Sequence, residues 1–276
     1  MCKECGCGLG GGEIKITPHL QHPLREHVHA HDHTHDHDYG HVHGHGGHSH
    51  PHSHAPGPQT LILNRSLLEK NARLAERNRG FFRAKKLLVL NLVSSPGSGK
   101  TTLVRETAVR LAGRRRVGVI VGDLATDNDA AQLRTAGVPV VQITTGTVCH
   151  LDADMVSKAA AQLDLDQLDV LVIENVGNLV CPADYDLGED LRVVLLATTE
   201  GEDKPLKYPP MFHSADVVVV TKGDLAAAAE FDRELALSNL RRISHHARIF
   251  EVSAKTGLGM EAWLDFLENP PAAHEP

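Results

Sequence analysis

Apolar residues gather along this chain in the runs Leu87–Val93, Val117–Val121, Val138–Ile143, Val170–Ile173, Val193–Ala197, Val217–Val220 and Ile249–Val252. They are short, largely β-branched and apolar on consecutive positions, as strands buried on both faces of a parallel sheet are. Helical stretches are predicted between them, at 99–113, 127–136, 151–163, 228–243 and 258–268. Strand–helix alternation predicts an α/β fold with a mostly parallel, doubly wound sheet. Ligands on such a sheet bind at the carboxyl ends of the strands. Residues 60–85 read as a helix leading into this domain. Ser66-Leu67-Leu68-Glu69 fits a capping box there, with Leu67, Leu68, Ala72 and Leu74 as the apolar face. Trp263 and Phe266 on the last helix read as core.

The pattern is missing before residue 60. Fifteen of the 20 histidines fall between His19 and His54. Residues 1–12 form a Cys- and Gly-rich head, and 13–59 a His-rich arm that lacks the apolar residues a core requires. The arm is expected to be disordered. Residues 86–270 form the main domain, large enough to bury a core. The net charge of −7 and the lack of a basic patch with interleaved aromatics argue against nucleic-acid binding. With no apolar run of membrane-spanning length and no secretory signal, a cytoplasmic location is expected, with no membrane partner. Five cysteines in such a chain read as thiols or metal ligands.

The run Leu87–Val93 leads at once into Ser94-Ser95-Pro96-Gly97-Ser98-Gly99-Lys100-Thr101-Thr102 and then a helix. This is the strand–loop–helix setting of a phosphate-binding loop. Gly97, Ser98 and Gly99 let backbone N–H groups turn towards a phosphate, and the helix N-terminus adds partial positive charge. Lys100 is expected at the β- and γ-phosphates, the Thr101 hydroxyl on Mg²⁺, and Thr102 beside them. Ser94 stands where the usual pattern has glycine.

After Val217–Val220 comes Thr221-Lys222-Gly223-Asp224. The Asp224 carboxylate can accept from the N1–H and exocyclic amine of guanine, which selects GTP over ATP. Lys222 is expected over the base plane, and Thr221 stands where asparagine is commoner. Ser253-Ala254-Lys255 reads as the last base-contacting loop. Asp123 and Glu174 sit at the tips of neighbouring strands, where they can hold Mg²⁺ or, for Asp123, position water. Gly177, in Glu174-Asn175-Val176-Gly177-Asn178, can let its loop sense a γ-phosphate. Asp127 and Asp129 read either as part of this acidic group or as helix caps.

Together SSPGSGKTT, GTVCHLDADM, ENVGNLVCPADYDLGE, TEGEDKPLKYP and the head CKECGCG resemble the HypB family, GTPases that assist nickel insertion into [NiFe]-hydrogenase. The resemblance spans 60–268 and the head. It implies a dimerising P-loop GTPase with slow hydrolysis, GTP favouring a homodimer. The implied partners are a hydrogenase large-subunit precursor and other maturation factors.

Three thiol- or imidazole-rich places are candidate metal sites. Cys2, Cys5 and Cys7 can set three sulfurs around one soft or borderline ion, Ni²⁺, Zn²⁺ or Cu(I), with the terminal amine as a fourth ligand. Cys149, His150 and Cys181 match family positions that bind zinc or nickel near the dimer interface. Their place beside the γ-phosphate-sensing loop would let nucleotide state set metal affinity. His27, His29, His31, His33, His35 and His37 alternate along the arm, a pattern suited to storing several ions. Thiols on a tail and a solvated linker are the plainer readings of head and arm. Competing functions are a urease-type nickel accessory GTPase, whose motif is Cys-Pro-His, and a nickel-storage protein with secondary GTPase activity. Lys204 and Lys207 lie in a long polar loop with no assigned role.

Overall fold

The structure is a computed structural model that describes residues 14–17 and 58–270. Cys2, Cys5, Cys7 and the arm histidines His27 to His37 lie outside the described residues. The strands are β1 (Lys15–Thr17), β2 (Leu88–Val93), β3 (Val117–Asp123), β4 (Val140–Thr144), β5 (Val170–Glu174), β6 (Leu191–Ala197), β7 (Val217–Thr221) and β8 (Arg248–Glu251). The helices are α1 (Pro58–Ala84), α2 (Lys100–Leu111), α3 (Asn128–Thr135), α4 (Ala153–Ala160), α5 (Lys204–Lys207), α6 (Pro209–His213), α7 (Arg233–Ile243) and α8 (Met260–Glu268).

All eight strands form one sheet in the order β1-β4-β3-β5-β2-β6-β7-β8. Seven strands run parallel, and β1 pairs antiparallel with β4 at the edge. Successive residues of a strand face opposite sides of the sheet. Leu90 and Leu92 therefore pack on one face with α2 and α8, through Leu103, Trp263 and Leu264. Val89 packs on the other with Phe82 of α1 and Val156 of α4. Val93 joins Phe212 of α6 and Leu240 of α7 on that same side. Trp263 and Phe266 are buried, and the Trp263 indole N–H donates to Thr107 Oγ1 at 3.0 Å.

Three expectations need correction. First, α1 begins at Pro58, so Ser66 lies two turns inside it and is not its cap. Its buried residues are Asn71, Ala75, Asn78 and Phe82, whereas Leu67 and Ala72 are exposed. Second, Lys15–Thr17 belongs to the sheet even though it lies in the stretch read as arm. Third, the loop 201–209 contains the short helix α5 and runs into a second, α6, with Pro205 and then Pro209 and Pro210 at their first positions. Proline fits the first helical positions because its missing N–H has no intrahelical partner there.

Candidate functional site

The loop from Ser94 to Gly99 joins the carboxyl end of β2 to α2, between neighbours β5 and β6. Gly97 and Gly99 have φ of +74° and +92°, left-handed values that side chains with a Cβ resist. Ser94 needs no such conformation and is not among the positive-φ residues. Its hydroxyl has another use: Lys100 Nζ donates to Ser94 Oγ at 3.0 Å. Both residues are buried, and burial lowers the Lys100 pKa against the pull of Glu174.

Thr101 is the second residue of the same helix, and its Oγ1 donates to Glu174 Oε1 at 2.7 Å. Burial pushes the Glu174 carboxyl up to about 7, with Lys100 pulling the other way. The second oxygen, Oε2, is buried and has no hydrogen-bond partner among the described residues. A carboxylate with a vacant lone pair beside a hydroxyl is an oxygen donor set that fits Mg²⁺. Thr102 is exposed on the next position. Asp123, at the end of β3, accepts through Oδ1 from the N–H groups of Ala125 and Thr126 at 2.9 and 2.8 Å. Asp127 stands at the N-cap of α3 but makes no side-chain cap bond, and Asp129 lies in the first turn.

The predicted base loops converge on the phosphate loop. Thr221 Oγ1 donates to the Ser98 carbonyl at 2.7 Å, and Lys222 Nζ to the Gly97 carbonyl at 2.7 Å. The Lys222 charge is thus engaged by the phosphate loop. Ser253 Oγ donates to Asp224 Oδ1 at 2.6 Å, joining the two base loops. Ala254 is half-buried and Lys255 exposed beside them. Lys204 pairs with Glu200 at 3.2 Å and Lys207 with Asp203 at 2.7 Å, so both are engaged within their own segment.

The structure also brings Cys149, His150 and Cys181 together, with ligand atoms within 4.8 Å of one another. The two sulfurs are 2.9 Å apart and not joined as a disulfide. Burial lowers the pKa of His150, which keeps the imidazole neutral and able to ligate. Its Nδ1 is buried without a hydrogen-bond partner among the described residues. The ring packs against Tyr185 at a 32° tilt, with centroids 3.9 Å apart. Two thiols and an imidazole suit borderline ions such as Ni²⁺ and Zn²⁺.

One loop touches both places. A Cβ on Gly177 would lie 3.0 Å from Pro96 Cγ and 3.1 Å from its backbone, so this position sits directly on the phosphate loop. On its flanks, Asn178 Nδ2 donates to the Cys149 carbonyl at 3.2 Å, and Asn175 Oδ1 accepts from Leu151 N–H at 3.1 Å. Sequence reasoning missed further residues around the thiol cluster: Tyr185, and Asn71 and Asn78 of α1. The available signal was two asparagines seven apart on the buried face of a helix.

The model of the CobW/HypB/UreG nucleotide-binding domain matches residues 88–251. The hydrogenase maturation factor HypB of Escherichia coli K12 is 54% identical over 202 residues, covering 73% of this chain and 70% of that protein. HypB of Azotobacter vinelandii is 52% identical over 208 residues, covering 75% and 69%. The crystal structure of HypB from Helicobacter pylori in complex with nickel superposes with a TM-score of 0.70 at 39% identity, covering 75% of this chain and 100% of that one. No helix among the described residues is long and apolar enough to cross a membrane. With that fold, phosphate loop and degree of identity, the chain belongs to the HypB family of hydrogenase maturation factors, GTPases of the CobW/HypB/UreG class.

Proposed function

We propose that this chain is a cytoplasmic nickel metallochaperone that hydrolyses GTP and delivers nickel to a [NiFe]-hydrogenase large-subunit precursor. The observation that carries this reading is the loop Glu174–Asn178, which packs on Pro96 and holds the backbone of Cys149 and Leu151. Any shift of that loop with the γ-phosphate would move a thiol. Cys149, His150 and Cys181 would hold Ni²⁺ or Zn²⁺ tightly in one nucleotide state and loosely in the other, the differential contact that coupling requires.

Hydrolysis would rest on positioning and charge. Gly97, Ser98, Gly99, Thr101 and Thr102 would supply backbone N–H groups, and Lys100 an ammonium for the β- and γ-phosphates. Thr101 and Glu174 would hold Mg²⁺, which neutralises charge on the phosphate oxygens when bound. Asp224, with Ser253, Ala254 and Lys255, would read guanine, and Lys222 would cover it. The three hydrogen bonds that Thr126 and Ala125 make to Asp123 Oδ1 support a loop-shaping role for this residue beside the reacting phosphate.

Leu124 and Val180 are exposed apolar residues next to Asp123 and Cys181, which supports a GTP-favoured homodimer contact on this edge. The Cys2, Cys5 and Cys7 head would be a second nickel site. The arm from 13 to 59, with His27 to His37, would store nickel. Family membership favours hydrogenase over the urease-type reading, and the assembled GTP loops favour delivery over storage alone.

A nickel and zinc titration of the intact chain tests this, with GDP or a non-hydrolysable GTP analogue, against a Cys149→Ala, Cys181→Ala variant. The expected result is a nucleotide-dependent affinity that this variant lacks. Equal affinity in both nucleotide states would remove the proposed coupling.

A further inference from the structure

We propose that α1 is a clamp that sets the geometry of the metal centre, with Asn71 and Asn78 as positioning residues. The proposal rests on reading Cys149, His150 and Cys181 as metal ligands. Those ligands come from two separate segments. Cys149 and His150 lead into Leu151–Ala153, and Cys181 leads into Tyr185–Glu189. The spacing of the ligands therefore depends on whatever holds the two segments at a fixed distance.

Asn71 and Asn78 each touch both. Asn71 Oδ1 accepts from Ala153 N–H at 2.9 Å, while its Nδ2 donates to the Asp186 carbonyl at 2.8 Å. Asn78 Nδ2 donates to the Ala153 carbonyl at 2.8 Å and the Leu187 carbonyl at 3.1 Å. Seven residues apart, the two amides lie two turns apart on one face of the helix.

The chemistry explains why amides stand at these positions of the α1 interface. Ala153 is the first residue of α4, so its N–H has no intrahelical partner. That N–H and the carbonyls of Asp186 and Leu187, all at least partly buried, find partners in the two amides, and the Ala153 carbonyl gains one from Asn78. An amide supplies both a donor and an acceptor on a short, stiff side chain. Gly188 brings the second segment close enough: a Cβ there would lie 2.6 Å from the Ala75 carbonyl oxygen of α1. Arg79, one residue beyond Asn78, donates to the Asp186 carboxylate at 2.5 Å and to the Glu189 carbonyl. At the metal end, the same juxtaposition packs His150 of one segment against Tyr185 of the other. Because α1 is the helix into which residues 1–57 lead, the clamp also ties the Cys- and His-rich segment's attachment point to the metal centre.

The test uses the full-length chain with Cys2→Ala, Cys5→Ala and Cys7→Ala. Two of the five cysteines remain, Cys149 and Cys181, so thiolate-to-nickel charge-transfer absorption reports this site alone. The arm's imidazoles do not contribute to that band. Adding Asn71→Ala and Asn78→Ala should weaken nickel binding at the band by about 10–100-fold, as loss of outer-shell partners does. The band should shift, and affinity for a GTP analogue should be unchanged. Asn71→Ala alone, with the Asn78 bridge intact, should give a smaller change in the same direction. Phe82→Leu loosens the packing of α1 without touching either amide and should leave the band as it was. An unshifted band of full strength in the double variant overturns the clamp alone. So does an equal loss in Phe82→Leu, because generic helix stability would then explain both. A band absent from the parent, or present after Cys149→Ala, removes the metal reading and the clamp with it.

Discussion

Asn178 donates its side-chain amide to the carbonyl of Cys149 over 3.2 Å, bridging the phosphate-contacting loop to a thiol-bearing segment. Asn175 makes a second bridge two residues on from the thiol, to the N–H of Leu151. Gly177 lies between them against Pro96. Contacts to the phosphate loop and to the thiol-bearing segment therefore share the four residues from Asn175 to Asn178.

Asn178→Ala removes one bridge without touching the phosphate loop. A hydrogen bond of this kind is worth about 1 kcal/mol, or roughly fivefold in an equilibrium. The ratio of nickel affinities between the GTP-analogue and GDP forms should fall by about that factor. Calorimetric titration in the two states measures it. A ratio equal to that of the parent chain would show that coupling does not run through Asn178.

Asp224→Asn should change base choice. A carboxylate accepts from both N1–H and the 2-amino group of guanine, whereas an amide offers one acceptor and one donor. Xanthine presents N1–H beside a carbonyl oxygen and matches the amide. GTP affinity should fall by about 100-fold or more, because the amide N–H₂ would face the 2-amino group of guanine donor to donor, and XTP affinity should rise. The amide oxygen that replaces a carboxylate oxygen still accepts from Ser253 Oγ, so the loop pairing seen at 2.6 Å can persist. Competition binding with the two nucleotides decides it, and unchanged GTP preference would remove Asp224 from base recognition.

The seven parallel strands were legible because each contains a short apolar run, interrupted only by single polar residues such as Asn91, Gln142 and Glu251, and burial on both faces imposes such runs on all but the edge strand β8. Lys15–Thr17 was not, having one apolar residue among histidine-rich sequence and owing its conformation to pairing with β4. The loops of the site were legible from motif and context, and Cys149, His150 and Cys181 from the family resemblance. The hydrogen bonds that connect them were not. Asn71 meets Ala153 across 82 positions and Asn78 meets Leu187 across 109, so nothing local names the partner. The start of α1 was misplaced because Ser66 has good cap chemistry, and the proline that opens the helix stands eight residues earlier.

Ser94→Gly would restore the glycine common at the head of a phosphate loop, yet it should destabilise this chain. The buried ammonium of Lys100 would lose its acceptor at 3.0 Å. A hydrogen bond to a charged group is worth about 1.5–3 kcal/mol, and glycine adds a smaller entropic cost. The loss should appear in urea unfolding without nucleotide. It should shrink with saturating nucleotide, whose phosphates give Lys100 another partner. A variant as stable as the parent would make the Ser94–Lys100 bond incidental.

Glu174 should give the chain a distinctive pH dependence. In the unfolded chain its carboxyl ionises near 4.5, whereas burial, opposed by Lys100, moves it to about 7 in the folded chain. Between those values the unfolded state has released a proton that the folded state retains. This contribution is therefore fully favourable below about 4.5, is lost progressively as pH rises towards 7, and is constant above that. The full excursion is about 3 kcal/mol. Glu174→Gln keeps an acceptor for Thr101 and removes the titration. Unfolding free energies of metal- and nucleotide-free chain, measured from pH 4.5 to 7.5, should fall less steeply in the variant than in the parent. The variant should then be the more stable of the two at pH 7.5, and also the poorer GTPase if Glu174 holds Mg²⁺. Parallel stability curves would mean that Glu174 ionises in the folded chain near its ordinary value, with Lys100 offsetting the cost of burial.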